Sequence, residues 1–314
     1  MAVWEISRSW DSQLKGTGSN LNNESVGYWN LGNAAIRDAS NSYTEFSLAS
    51  GIVRANYVYK KRYFITAALR ADGSSKFQGD NKWGYFPSAA IAWDIAQESF
   101  MSNQHVLDQL KLRASFGVTG NQDIAAYSTL GMLSGASYGW GTSTSSTGYW
   151  GNQFATPDIT WEKTYQYDLG LDLDFLDYRI KFKFDYYYRY TKDKLWKVNL
   201  PSGGSFLGGF SKQWRNAMEV SNEGIEFEVT CDILRETKVT WRSKITASRN
   251  WNRFEKSYSG KDEDTFIIGK PLFNIYLYKD NGYYNSQDEV PVYYQADGSK
   301  KYLMPMFETQ YFTS

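Results

Sequence analysis

The stretch Ile180-Lys181-Phe182-Lys183-Phe184-Asp185-Tyr186-Tyr187-Tyr188 decides the fold. Ile180, Phe182, Phe184, Tyr186 and Tyr188 fall on one side of an extended chain, and Lys181, Lys183 and Asp185 on the other. A period of two is a strand with one apolar and one charged face, and no helix fits it. The pattern recurs on both sides of this segment. Leu169, Leu171 and Leu173 alternate with Asp168, Asp172 and Asp174, and Ile225, Phe227, Val229 and Cys231 with Glu226, Glu228 and Thr230. Leu110, Leu112, Ala114, Phe116 and Val118 alternate with Lys111, Arg113 and Ser115, and Val239, Trp241 and Ile245 with Lys238, Arg242 and Lys244.

This reading places strands near 46–59, 63–72, 85–95, 108–118, 161–174, 178–190, 223–234 and 238–250, with a partial strand at 1–9. At roughly ten to fourteen residues they are about twice an ordinary soluble strand and match a tilted membrane-spanning one. Short links fall at 60–62, 176–177 and 235–236, and a somewhat longer one at 96–107 has room for a helical turn. Long links fall at 11–45, 73–84, 119–160, 191–222 and 251–314. Short and long alternate throughout, as an up-and-down barrel with periplasmic turns and outer loops requires. The predicted fold is therefore all-β, an antiparallel up-and-down transmembrane β-barrel. Eight full strands and one partial leave both ends on the outer side, whereas complete barrels of this type keep their termini in the periplasm. The chain reads as an arc of a larger barrel rather than a closed eight-stranded one, and both ends read as cuts.

Composition narrows the function. The 314 residues carry 34 Lys+Arg against 34 Asp+Glu, which removes the basic surface of a general nucleic-acid binder. One His and one Cys exclude a disulfide framework and a Cys/His zinc site. No apolar run approaches the twenty residues of a membrane helix, a test that leaves barrels untouched. His105 falls in a short-turn link, and Cys231 shares a face with Ile225, Phe227 and Val229, which suits a small apolar residue.

The carboxylates have structural readings too. Asp168, Asp172 and Asp174 are expected to pair with Lys181 and Lys183 on the next strand. Asp262-Glu263-Asp264 lacks the spacing and glycine of a calcium loop, so calcium in the loops finds no support. No catalytic residue and no cofactor are predicted. The Gly203-Gly204 and Gly208-Gly209 pairs read as loop hinges, since no phosphate-loop motif contains them. Asn23-Glu24-Ser25 fits a glycosylation sequon without meaning in a bacterial surface loop.

The long loops mix Gly, Ser, Asn and Thr with aromatics, as in Gly139-Trp140-Gly141-Thr142-Ser143 and Gly148-Tyr149-Trp150-Gly151. Trp29, Trp140, Trp150 and Trp214 are the candidates for ligand contact, because aromatic faces stack on sugars and anchor peptides. For any single one of them, loop packing or an interfacial aromatic girdle is the stronger reading. Lys111, Arg113, Lys181, Lys183, Glu226, Glu228, Arg242 and Lys244 are expected to face the lumen as an inter-strand ladder of charge.

One run ties these features to a family. Arg62-Tyr63-Phe64-Ile65-Thr66-Ala67-Ala68-Leu69-Arg70-Ala71-Asp72-Gly73-Ser74-Ser75-Lys76-Phe77, followed by Asn81-Lys82-Trp83-Gly84-Tyr85-Phe86-Pro87-Ser88, closely resembles the SusC/RagA family of TonB-linked outer-membrane transporters of Bacteroidetes. Leu110-Lys111-Leu112-Arg113-Ala114-Ser115-Phe116-Gly117, Trp161-Glu162-Lys163-Thr164, Asn222-Glu223-Gly224-Ile225-Glu226 and Ile268-Gly269-Lys270-Pro271-Leu272 continue the resemblance in order. It covers most of 50–280. It implies a 22-stranded barrel in the bacterial outer membrane, plugged by an N-terminal domain and energised by TonB-ExbB-ExbD. Such a barrel imports oligosaccharide or peptide fragments beneath a SusD-like lipoprotein lid. This chain departs from the pattern in lacking the plug domain, the TonB box and the remaining strands. Two other readings stay open at this point: a self-contained outer-membrane binding or adhesion barrel, and a soluble all-β carbohydrate-binding module.

Overall fold

The computed structural model describes residues 1–21, 23–140, 144–200, 212–235, 238–263, 266–273, 275–279, 292–294, 300–302 and 308–312. Nine strands form one antiparallel sheet: β1 (Ala2–Leu21), β2 (Ala34–Tyr59), β3 (Tyr63–Ser74), β4 (Trp83–Asp94), β5 (Leu107–Asn121), β8 (Glu162–Phe175), β9 (Ile180–Asn199), β10 (Lys212–Leu234) and β11 (Trp241–Ser257), in that order across the sheet. Between β5 and β8 a separate hairpin, β6 (Met132–Trp140) with β7 (Thr144–Gln153), rises from the long connection. Short pairs Ile275–Lys279 with Glu308–Phe312 and Val292–Tyr294 with Lys300–Tyr302 lie outside the sheet. β1 and β11 are the sheet's two edges and do not pair with each other, so the sheet is an open arc and not a closed small barrel.

The strands outrun their predicted bounds mainly at the long-loop ends. The partial strand at 1–9 is a full one reaching Leu21, and the loop read at 11–45 shrinks to the 3₁₀ segment Glu24–Asn33 between β1 and β2. The segments 191–199 and 212–222, read as loop, extend β9 and β10, and 119–160 contains the β6–β7 hairpin. The reason is physical: alternation marks a strand only while one face is apolar. β1 and the first half of β2 are exposed on both faces, so backbone pairing continues from Ala2–Val53 to Leu21–Ala34 without the signal.

Register sorts the side chains onto two faces. Read across the sheet, Ile65, Ile91, Ala114, Leu169, Tyr186 and Ile225 occupy one row, and Tyr63, Trp93, Leu112, Leu171, Phe184 and Phe227 the next. None of these side chains is fully buried: Ile91 is 59% exposed and Leu169 58%, while Ala114, Leu171, Phe184 and Tyr186 are half-buried. A continuous uncovered apolar face of this extent belongs against lipid. At its short-turn edge Tyr57, Tyr59, Tyr63 and Trp93 stack in series, with ring centroids 6.2–6.5 Å apart, the arrangement of an interfacial girdle.

The short turns are tight. Lys60 and Lys61 both adopt left-handed backbone, φ 51° and 56°, between β2 and β3, and Leu176, Asp177 and Tyr178 do so between β8 and β9. The 95–106 link holds two 3₁₀ turns, Ile95–Gln97 and Ser99–Met101. Glu98 between them accepts hydrogen bonds from Tyr63 Oη (2.6 Å), Arg62 Nη1 (2.9 Å) and Trp93 Nε1 (3.0 Å), fastening this link to the girdle. Buried apolar packing gathers at the opposite end. Phe77, Phe86, Ile124, Ile159, Trp161 and Leu195 form one cluster, and Ala217, Met218, Val220 and Phe254 a second. β4 pairs with β5 only from Ser88–Gly117 inward; beyond that point Phe86 and Trp161 pack edge-on, 5.4 Å between centroids.

Candidate functional site

The polar face is cross-braced. Arg113 of β5 lies opposite Gly170 of β8, which lies opposite Asp185 of β9. The Arg113 guanidinium donates to both Asp172 oxygens at 2.9 Å and to Asp185 Oδ1 at 2.8 Å. A Cβ at Gly170 would stand 2.5 Å from the guanidinium carbon and 2.6 Å from Asp185 Oδ1. The glycine is what lets one side chain cross a strand. The device is repeated at Gly224, where Tyr187 of β9 passes over β10 and its hydroxyl donates to Asn250 Oδ1 of β11 at 2.9 Å. Lys244 pairs with Glu228 at 2.8 Å and Arg242 with Asp232 at 2.5 Å.

Lys111, Arg113, Lys181, Lys183, Glu226, Glu228, Arg242 and Lys244 all share this face by register. The partners of the β8 carboxylates differ from expectation. Asp172 takes Arg113 from the preceding strand, and Asp168 takes Ser115 Oγ and Gln166 Nε2. Asp172 and Asp174 do lie directly opposite Lys183 and Lys181, as expected, but the carboxylate of Asp172 bonds Arg113 instead. Lys111 and Lys181 turn toward the rings of Phe64 (4.5 Å) and Tyr178 (5.8 Å). A forked guanidinium satisfies two carboxylates at once, which an ammonium on a flexible stem does not.

At the outer ends of β8–β10 the chain encloses a cavity of about 610 Å³, bounded by Trp196, Trp214, Phe266, Lys194, Lys197 and Glu263 among others. The backbone there is irregular: Asp193 sits at φ 57°, and Asn216 stabilises the bulge. Its amide donates to the carbonyls of Asp193 (2.7 Å) and Thr160 (2.9 Å), and its Oδ1 accepts from Thr160 N–H. Glu162, 6% exposed, accepts from Leu195 N–H at 3.1 Å and pairs with Lys194 at 3.4 Å. Lys197 Nζ lies 5.2 Å from the Trp214 ring centroid, and Trp196 meets Phe266 edge-on at 5.6 Å. Ser257 and Ser259 hydroxyls donate to Glu263 Oε1, both at 2.7 Å, and hold its carboxyl below the usual carboxylate range. Aromatic walls with amine donors and a fixed carboxylate acceptor suit a polar organic ligand.

Of the four predicted tryptophans this cavity collects only Trp214. Trp29 is 81% exposed, its ring 4.6 Å from Tyr28, beyond the β1–β2 ribbon. Trp150 stands on β7 opposite Ser134. The side chain of Trp140, and the glycine pairs 203–204 and 208–209, lie outside the described residues. Asp262 and Glu263 are engaged in loop hydrogen bonds, Asp262 accepting from Ile268 N–H; Asp264 lies outside the described residues. His105 is exposed in the 95–106 link, and Cys231 is an unbonded thiol on the apolar face opposite Ile180 and Ser243. The reading missed Lys194 and Trp196 because the alternation was followed only to residue 190. Glu162 fell inside the predicted strand 161–174, but its bond to Leu195 N–H depends on the extension of β9 that the reading did not foresee. It missed Gly170 and Gly224 although a glycine inside an alternating strand signals close approach by another group.

An open antiparallel arc with an apolar outside, a cross-braced polar inside and alternating turn lengths defines the wall of an outer-membrane β-barrel. The chain belongs to the TonB dependent receptor-like β-barrel family, whose model matches residues 4–300. It is 37% identical over 262 residues to TonB-dependent receptor P3 of Formosa agariphila, covering 83% of this chain and 25% of that protein. It is 34% identical over 239 residues to TonB-dependent receptor SusC of Bacteroides thetaiotaomicron, covering 74% and 23%. The fold superposes on the RagAB peptide transporter with a TM-score of 0.74 at 19% identity, over 99% of this chain and 35% of that one. The chain thus spans about a quarter of the length of the curated relatives it matches, and its place is the bacterial outer membrane.

Proposed function

We propose that this chain is the wall and outer rim of a SusC-like importer that carries oligosaccharide or peptide fragments across the outer membrane. The observation that carries the reading is the segregation of the sheet: bridged charges on one face, uncovered apolar rows with a stacked aromatic edge on the other. In this reading the bridged face lines the lumen, where the strand-crossing links of Arg113 and Tyr187 keep the wall rigid around passing cargo. The Trp214 cavity at the rim makes an early contact with that cargo. TonB-ExbB-ExbD supplies the energy through parts of the receptor outside this chain, and a SusD-like lipoprotein closes over the outer loops.

The test is uptake of fluorescently labelled oligosaccharides and peptides by cells with and without the full-length receptor, before and after collapse of the proton gradient. One class of cargo should enter only with the receptor and only in energised cells. Uptake indifferent to both conditions overturns the proposal.

A further inference from the structure

Followed outward along β8 and β9, the apolar face changes character in steps. Leu171 stands opposite Phe184, Leu169 opposite Tyr186, Tyr167 opposite Tyr188, Tyr165 opposite Tyr190, and then Lys163 directly opposite Lys192. The register is unbroken over this whole run. Two ammonium groups facing each other across neighbouring strands repel, and native sheets avoid the arrangement unless something neutralises it. Here no carboxylate does so: among the described residues neither lysine has an ion-pair partner. Lys192 is exposed and Lys163 half-buried. The acids that β10 and β11 bring to this end of the sheet are already engaged, Glu219 with Tyr190 and Lys256, Glu223 with Tyr186, and Glu255 with Ser221.

The height of the pair identifies what neutralises it. From Phe175 at the short-turn end of β8 to Lys163 is 175 − 163 = 12 residues, about 40 Å along a strand and about 30 Å along the membrane normal at a tilt near 40°. That is the thickness of the hydrocarbon layer, so the lysines stand at the outer headgroup level, just above a belt of tyrosines. Exposed Arg249 and Arg253 lie on the same face two strands away.

We propose that Lys163 and Lys192 form a binding site on the outside of the barrel for a phosphorylated glycolipid of the outer leaflet. The phosphate sits between the two ammonium groups, and the acyl chains run down over Tyr167, Leu169, Leu171 and Phe184. The charge complementarity is specific, because a neutral or zwitterionic headgroup leaves the lysine pair uncompensated.

Native mass spectrometry of the full-length receptor with added bisphosphorylated lipid A tests the site. The wild type should hold the lipid, and Lys163→Gln/Lys192→Gln should bind about thirty-fold more weakly. Lys60→Gln/Lys61→Gln, at the opposite membrane edge, should leave binding unchanged. Lipid A stripped of its phosphates should bind the wild type no better than it binds the double variant, and inorganic phosphate alone should not displace the intact lipid. Equal binding by wild type and double variant, equal binding of the stripped lipid, or displacement by inorganic phosphate each overturns the proposal. The single variant Lys192→Gln guards against a folding artefact. In lipid-free detergent its melting temperature should equal or exceed the wild type's, because repulsion is relieved, while its gain on adding lipid A should be smaller. A lower melting temperature with the full lipid gain overturns the site.

Discussion

Arg113 reaches Asp172 and Asp185 together because Gly170 leaves the space between them empty. Gly170→Ala should therefore displace the guanidinium and cost about 2 kcal/mol or more, read as a lowered urea midpoint when the full-length receptor is unfolded from lipid. Arg113→Lys, which keeps the charge but not the fork, should cost about 1 kcal/mol in the same assay. Facing is tested by a second pair. Phe184→Arg puts a cation on the lipid face about a third of the way up from its short-turn end and should cost about 2 kcal/mol, whereas Lys183→Glu on the polar face should cost far less; equal costs would reverse the assignment of faces. At this scale the sequence disclosed which residues share a face but not which of them bond. Alternation fixes side, while partner choice depends on reach. Hence the eight charged positions could be placed on one face from the chain, and the Arg113–Asp172 and Arg113–Asp185 pairs could not.

The elements divide by environment. Strand segments with one face in lipid were legible to within a few residues, as β3 and β8 are. The outer halves of β1, β2, β9 and β10 were not, since water on both faces, or a bulge such as that at Asp193, removes the period-two signal. The Trp214 cavity was obscured for that reason, because its walls come from strand extensions read as loop.

Turn chemistry carries its own expectation. Lys60 and Lys61 occupy left-handed backbone that glycine adopts without cost, so Lys61→Gly should stabilise the β2–β3 hairpin by about 1 kcal/mol, seen as a higher urea midpoint. Glu98 adds a pH dependence in the neighbouring link. Hydrogen bonds from Tyr63, Trp93 and Arg62 hold its carboxyl below the usual 4.5. A depressed carboxylate contributes stability above its unfolded value that is lost as pH falls through the folded one. Amide protection factors across 95–101, corrected for the intrinsic pH dependence of exchange, should accordingly be high at neutral pH and fall below about pH 4.5, and Glu98→Gln should flatten that profile.

Over the whole molecule, the sheet stops at two open edges, β1 and β11. Unpaired backbone groups at an edge within hydrocarbon cost several kcal/mol each. Expressed by itself, this chain should fail to form a heat-resistant, ion-conducting species in lipid, while the full-length receptor migrates as a folded band on unheated gels; a conducting, heat-modifiable species from the chain alone would contradict the open arc.

Beyond the Arg8–Glu45 ion pair, β1 and β2 continue as a two-stranded ribbon to Leu21 and Ala34, about 40 Å at 3.3 Å per residue. Beyond Leu48–Ser74 no strand of this sheet, among the described residues, follows the β2 side of the ribbon, and Tyr28 and Trp29 crown its tip. A projection of that height places the tip clear of the bilayer and well into the carbohydrate coat of the cell. A segment held that far from the bilayer is a surface that large external particles can reach without entering the barrel, and grafting an epitope tag between Tyr28 and Trp29 should label intact cells without disturbing the nine-stranded sheet.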